Sequence, residues 1–157
     1  MHLRNRMRDR SEAEPSISSE FTRDHCRLDV LFEDARRLAT ADNLGGAAAA
    51  FRRFAYELAR HIAAEEKQLF PMFDARAGMR GPTTMMRHEH RELERLMAVA
   101  AASLEREDAA TFATEAAALA AILGTHNLKE ERVLYPRTDA VVDESERARL
   151  VASLQRQ

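Results

Sequence analysis

Two short strings carry the chemistry of this chain. Residues 61–71 read HIAAEEKQLFP, and residues 126–136 read HNLKEERVLYP. In each, a His stands four residues before a Glu: His61 and Glu65, then His126 and Glu130. On a helix such a pair lies one turn apart on one face, about 40° from eclipsed, so imidazole and carboxylate reach one cation together. The two copies keep His, Glu, Glu, Leu and Pro in step at an offset of 65 residues. The same offset relates His25 to His90, within HCRLDVLF (25–32) and HRELERLM (90–97). The chain therefore reads as a tandem repeat: a helix with one His, then a helix with His-x-x-x-Glu. His88 falls outside this register. Two residues from His90, it projects about 200° away on a helix and is expected to stay out of a shared site.

Polar groups inside a helical assembly cost free energy unless they are paired or bound to metal. The six repeated residues, His25, His61, Glu65, His90, His126 and Glu130, are thus candidate metal ligands. Imidazole with carboxylate and no thiolate suits iron, manganese or zinc. Two half-sites, each with two His and one Glu, suit a pair of ions bridged by the two carboxylates. The alternatives are a metal-free helical core, a single ion or zinc, and a haem held by two His, which needs no repeated Glu. Glu66 and Glu131 follow the candidate Glu ligands by one residue, rotated about 100°. They are expected to hydrogen-bond or form ion pairs, with ligation as the other option. Asp29 and Glu94, one turn beyond His25 and His90, are candidates to orient an imidazole or to lie on solvated faces. Tyr56 has no repeated counterpart, since Ala121 occupies that place. It would break the symmetry if it entered the site, but it lies about 140° round the helix from His61. Cys26, about 100° from His25, is read as a packed thiol and not a ligand.

These side chains need long helices to position them. The chain of 157 residues has no Trp, five Gly and four Pro, which favours helix over sheet. Charged residues make up 32%, yet the net charge is −2, so nothing demands nucleic acid or an anionic membrane. The single cysteine rules out an intrachain disulfide and fits a reducing compartment. With no apolar run of about 20 residues and no secretory signal, the expected location is cytoplasmic. Residues 1–16, with alternating arginines, are expected to form a mobile polar tail. The first helix is expected from Ser18 or Ser19 to Thr40, then a loop at 42–46, and a second helix from Ala47 to Ala75 kinked at Pro71. A third follows from Pro82 or Thr83 to Arg106, and a fourth, capped by Asp108, runs towards Tyr135 and is ended or kinked by Pro136. A short fifth helix follows Asp143, where Asp143-Glu-Ser-Glu146 resembles a capping box. The fold expected is all-α: an up-down-up-down four-helix bundle (17–137) of two repeated hairpins, with a helical C-terminal extension (138–157).

The arrangement resembles the hemerythrin-like family, known for His–His–Glu cation binding, over about residues 20–137. His25 followed by Leu28 and Asp29 resembles its first-helix His. His61 and Glu65 match its second-helix HxxxE, Glu89-His90 followed by Leu93 its third-helix EHxxL, and His126 and Glu130 its fourth-helix HxxxEE. The resemblance implies a left-handed four-helix bundle with two non-haem iron ions bridged by two carboxylates and an oxo or hydroxo group. Two departures from the oxygen-carrying members matter. The carriers hold HxxxH in the third helix, where this chain has Met86, with Phe21 as the repeat equivalent. They also end with HxxxxD, where this chain has HxxxE. Two octahedral irons offer about 12 positions, and the six residues with one bridging oxygen fill about ten. An open position on each ion is then expected, which permits redox chemistry with oxygen, peroxide or nitric oxide in protection or detoxification. An iron- or oxygen-sensing module is the alternative, and reversible oxygen carriage is disfavoured by the missing His. The expected partner is a small diatomic or peroxide ligand, with no nucleic acid and no membrane.

Overall fold

The computed structural model describes residues 15–155, so the tail reading falls almost wholly outside the described residues. The described residues are helices joined by short turns, with no strand among them. α1 (Ile17–Thr40) and α2 (Leu44–Ala64) pack along one another, as do α4 (Gly81–Glu105) and α5 (Ala109–Lys129). α2 also packs on α4, and α1 on α5, which closes the ring of four. None of the described helices is long and apolar enough to cross a membrane.

The boundaries follow from capping chemistry. Ser16 caps α1 through a capping box with Ser19, two residues earlier than the sequence reading placed it. The Asp139 carboxylate adds to that end: it accepts from the backbone N–H groups of Ile17 (3.0 Å) and Ser18 (2.9 Å) and from the Ser18 hydroxyl (2.7 Å). An anion there satisfies orphan donors and complements the helix dipole. The expected loop at 42–46 is shorter than read. Only Ala41 and Asp42 turn, and α2 begins at Leu44 because the Asn43 side chain accepts from Gly46 N–H. A Cβ at Gly46 would lie 2.7 Å from the Asn43 side chain, so glycine makes room for the cap. α5 has the matching device in Asp108, as expected. The repeat extends into these turns: Asp42 (φ 59°) and its equivalent Glu107 (φ 56°) both adopt left-handed backbone.

The prolines act differently from the expected kink. α2 passes into a π-helical turn (Glu65–Leu69) before α3 (Phe70–Ala77), and α5 passes into another (Glu130–Leu134) before α6 (Tyr135–Val141). In each, an N–H five residues on bonds a Glu backbone carbonyl: Phe70 to Glu65, and Tyr135 to Glu130. Pro71 and Pro136 then fall at the start of a fresh α-segment, where a missing N–H is tolerated. Helix continues past Pro136 to Val141. α7 (Glu144–Gln155) follows, with the expected capping box: Asp143 accepts from Glu146 N–H and Glu146 from Asp143 N–H.

The core is split. One apolar cluster holds Leu28, Phe32, Phe51, Phe54, Leu93 and Leu119; the other holds Ile17, Phe21, Phe70, Phe73, Met86 and Leu150. His25 lies between Phe21 and Leu28, and His90 between Met86 and Leu93, so a polar layer separates the two clusters.

Candidate metal centre

All six expected residues converge in that layer, each at most 3% exposed. Two groups of ligand atoms form: His25, His61, Glu65 and Glu130, and then His90, His126, Glu65 and Glu130. Each carboxylate belongs to both groups. The Nε2 atoms of His25 and His61 stand 3.1 Å apart, and those of His90 and His126 stand 3.2 Å apart. His61 Nε2 lies 3.4 Å from Glu65 Oε1, and His126 Nε2 lies 3.1 Å from Glu130 Oε1. The two His-x-x-x-Glu pairs therefore act as the spacing required.

Every imidazole is held from behind by a carboxylate on its Nδ1. Asp24 bonds His61 (2.9 Å) and its repeat equivalent Glu89 bonds His126 (2.9 Å). Glu66 bonds His90 (2.9 Å) and Glu131 bonds His25 (2.8 Å). Nδ1 donates in all four, which aims the Nε2 lone pairs inward. Glu66 and Glu131 thus take the hydrogen-bonding role expected of them. Asp29 and Glu94 do not: both are exposed. Sequence reasoning overlooked Asp24 and Glu89 as orienting groups, because each sits beside one His yet serves the His of the neighbouring helix. The 65-residue offset was the signal for them. His88 is exposed, off the site, as its register indicated. Cys26 is exposed as well, so the packed-thiol reading fails. Tyr56 is 63% exposed beneath the Arg60 guanidinium and takes no part.

The tyrosine that does enter is Tyr135, fully buried. Its hydroxyl donates to Glu65 Oε1 at 2.6 Å and stands 3.0 Å from Glu130 Oε2, 3.1 Å from His25 Nε2 and 3.4 Å from His61 Nε2. A continuous α-helix would turn Tyr135 about 140° away from Glu130. The π-turn inserts the extra residue that brings it one turn along on the same face. Its repeat equivalent is Phe70, which stacks on His90. The two halves are not equivalent at this point, contrary to the symmetric pair expected.

The electrostatics fit a cation. Burial opposes charge on His61, Glu65, His90, His126 and Glu130, yet mutual attraction outweighs it in each. Glu65 and the Asp24 hydrogen bond raise His61 to about 10, and Glu130 raises His126 to about 9, both against burial. Against their own desolvation, His61 and His90 hold Glu65 well below the usual carboxylate range, and His126 and His25 hold Glu130 low despite Glu65 nearby. Burial first, then both carboxylates, push the Tyr135 hydroxyl well above the usual phenol range. Glu65 Oε2 and Glu130 Oε1 remain buried without an aligned donor. Converging lone pairs and two orphaned carboxylate oxygens are a donor set for metal ions.

This is an all-helical protein with a buried histidine–carboxylate metal-binding site. Residues 16–138 match the hemerythrin HHE cation binding domain, and the chain belongs to that family. Comparison with curated proteins and with solved structures returned no match.

The outer carboxylates give a direct check. Glu89→Ala is expected to weaken metal affinity by roughly 10–100-fold, because His126 loses the partner that fixes its ring. His88→Ala is expected to leave affinity unchanged. Competition against a chromophoric chelator measures both, and equal losses in the two variants would remove the orienting role.

Proposed function

We propose that this protein is a non-haem di-iron protein that reacts with oxygen, peroxide or nitric oxide, in redox protection or detoxification. The reading rests on one observation: Glu65 and Glu130 each belong to both histidine pairs, as carboxylates that bridge two ions would. The two repeated hairpins form an up-down-up-down four-helix bundle over 17–137, with 138–157 as a helical extension. His25, His61, Glu65, His90, His126 and Glu130 hold the irons. Bound iron supplies one-electron chemistry and an open coordination position for a small ligand. The chain's own part is to aim four imidazoles through Asp24, Glu131, Glu66 and Glu89, and to exclude bulk water with the two apolar clusters. Phe21 and Met86 support redox reactivity over carriage, since each is buried and apolar where an HxxxH motif would place the carriers' further histidine. Iron is favoured over zinc or manganese by the family's pattern, and the reaction is expected in the cytoplasm.

The test is anaerobic loading with ferrous iron, followed by titration with oxygen and with peroxide under visible absorption. Catalytic peroxide consumption or repeated ferrous oxidation is the expected result. Stoichiometric binding without turnover would count against the reading, and an oxygen complex that forms and releases reversibly would favour carriage.

A further inference from the structure

The one break in the twofold pattern lies within the ligand cluster itself. We propose that Tyr135 is a seventh protein ligand, coordinating through its phenolate oxygen the ion held by His25 and His61, and so making the two metal positions chemically distinct. This inference rests on the metal reading above and deepens it.

The geometry carries it. Neighbouring ligand atoms on one octahedral ion, with bonds of about 2.1 Å, stand about 3 Å apart. The edges of the first group have that length: 3.1 Å between His25 and His61 Nε2, 3.4 Å from His25 Nε2 to Glu130 Oε2, and 3.4 Å from His61 Nε2 to Glu65 Oε1. The Tyr135 hydroxyl stands 2.6–3.4 Å from the same four atoms. It therefore occupies a vertex of that polyhedron alongside the others. In the second group Phe70 takes the equivalent place, stacked on His90 at 5.5 Å and 14°, with the Arg87 guanidinium 5.2 Å from its ring. It offers no ligand atom. On loading, the phenol O–H bond breaks, the proton leaves to solvent, and the oxygen lone pair goes to the ion. The ion of the His90–His126 group keeps the more open coordination, so a small ligand enters there.

The chain has two tyrosines, and Tyr56 is exposed, so a tyrosinate signal is assignable. The full chain would be loaded with ferric iron and examined by visible absorption and resonance Raman, alongside Tyr135→Phe and Tyr56→Phe. The expected result is a phenolate-to-iron charge-transfer band with enhanced tyrosinate ring modes in the wild type and in Tyr56→Phe. Tyr135→Phe is expected to lose both while retaining iron. Loading with zinc is expected to give the ultraviolet difference band of ionised tyrosine at neutral pH, again lost in Tyr135→Phe. If Tyr135→Phe does not fold, the wild type and Tyr56→Phe still decide the assignment. Metal uptake without a tyrosinate signal in either loading overturns the proposal and leaves the metal site standing. Failure to take up iron, manganese or zinc overturns both.

Discussion

Glu130→Ala is expected to strip the protein of most of its bound iron while leaving its helices in place. Glu130 reaches both groups: Oε1 faces His126 and His90, and Oε2 faces His25. On the di-iron reading proposed above, removing it takes one ligand from each ion at once. The affinity loss should exceed the roughly 100-fold upper range for an outer-shell partner, since the change is in the ligand itself. His61→Ala removes one ligand from one group and is expected to lose most iron as well. Metal analysis after gel filtration, with far-ultraviolet circular dichroism on the same samples, reads both quantities. Full iron content in a folded Glu130→Ala variant would show that the carboxylate is not shared between ions.

Chelating the metal from the wild-type protein is expected to lower its Tm by about 5–10 °C without large loss of helix. A ligand present at 100 times its Kd stabilises by about 2.7 kcal/mol, and a chain of this size shifts by about 2–4 °C per kcal/mol. The metal-free layer is not left bare, because imidazolium and carboxylate compensate one another. That compensation depends on pH. His61 and His126 are raised, to about 10 and about 9, so their stabilisation is full below the ordinary histidine pKa and fades as pH rises towards those values. Glu65 and Glu130 are lowered, so their share is present above the ordinary glutamate pKa and is lost as pH falls through the depressed values. The gap between loaded and metal-free protein should therefore widen from about pH 6.5 to pH 9. Paired scanning calorimetry across that range reads it, and a metal-free form as stable as the loaded one would argue against coupling of metal to fold.

The cluster of candidate ligands was legible from spacing because it obeys helix geometry. His61 with Glu65, and His126 with Glu130, need only the four-residue turn, and the 65-residue offset added His25 and His90. The same offset separated His90 from His88. The helices followed from local rules, as did the caps at Asp108 and at the Asp143–Glu146 box. Asn43 was misread as loop because two following glycines masked a cap that one of them makes possible.

What one helix cannot reveal is which neighbour its side chains serve. Asp24 and Glu89 orient histidines on adjacent helices, a relation set by packing and not by spacing. Tyr135 is the sharper case. Five residues beyond Glu130, regular α-geometry turns it away from the site. The π-turn before Pro136 carries it back in, while the same turn before Pro71 delivers a phenylalanine. The sequence by itself determined six candidate ligands and their twofold repeat. The tertiary structure decided their outer partners and the single hydroxyl that makes the halves unlike, because both depend on how helices pack and on one widened turn.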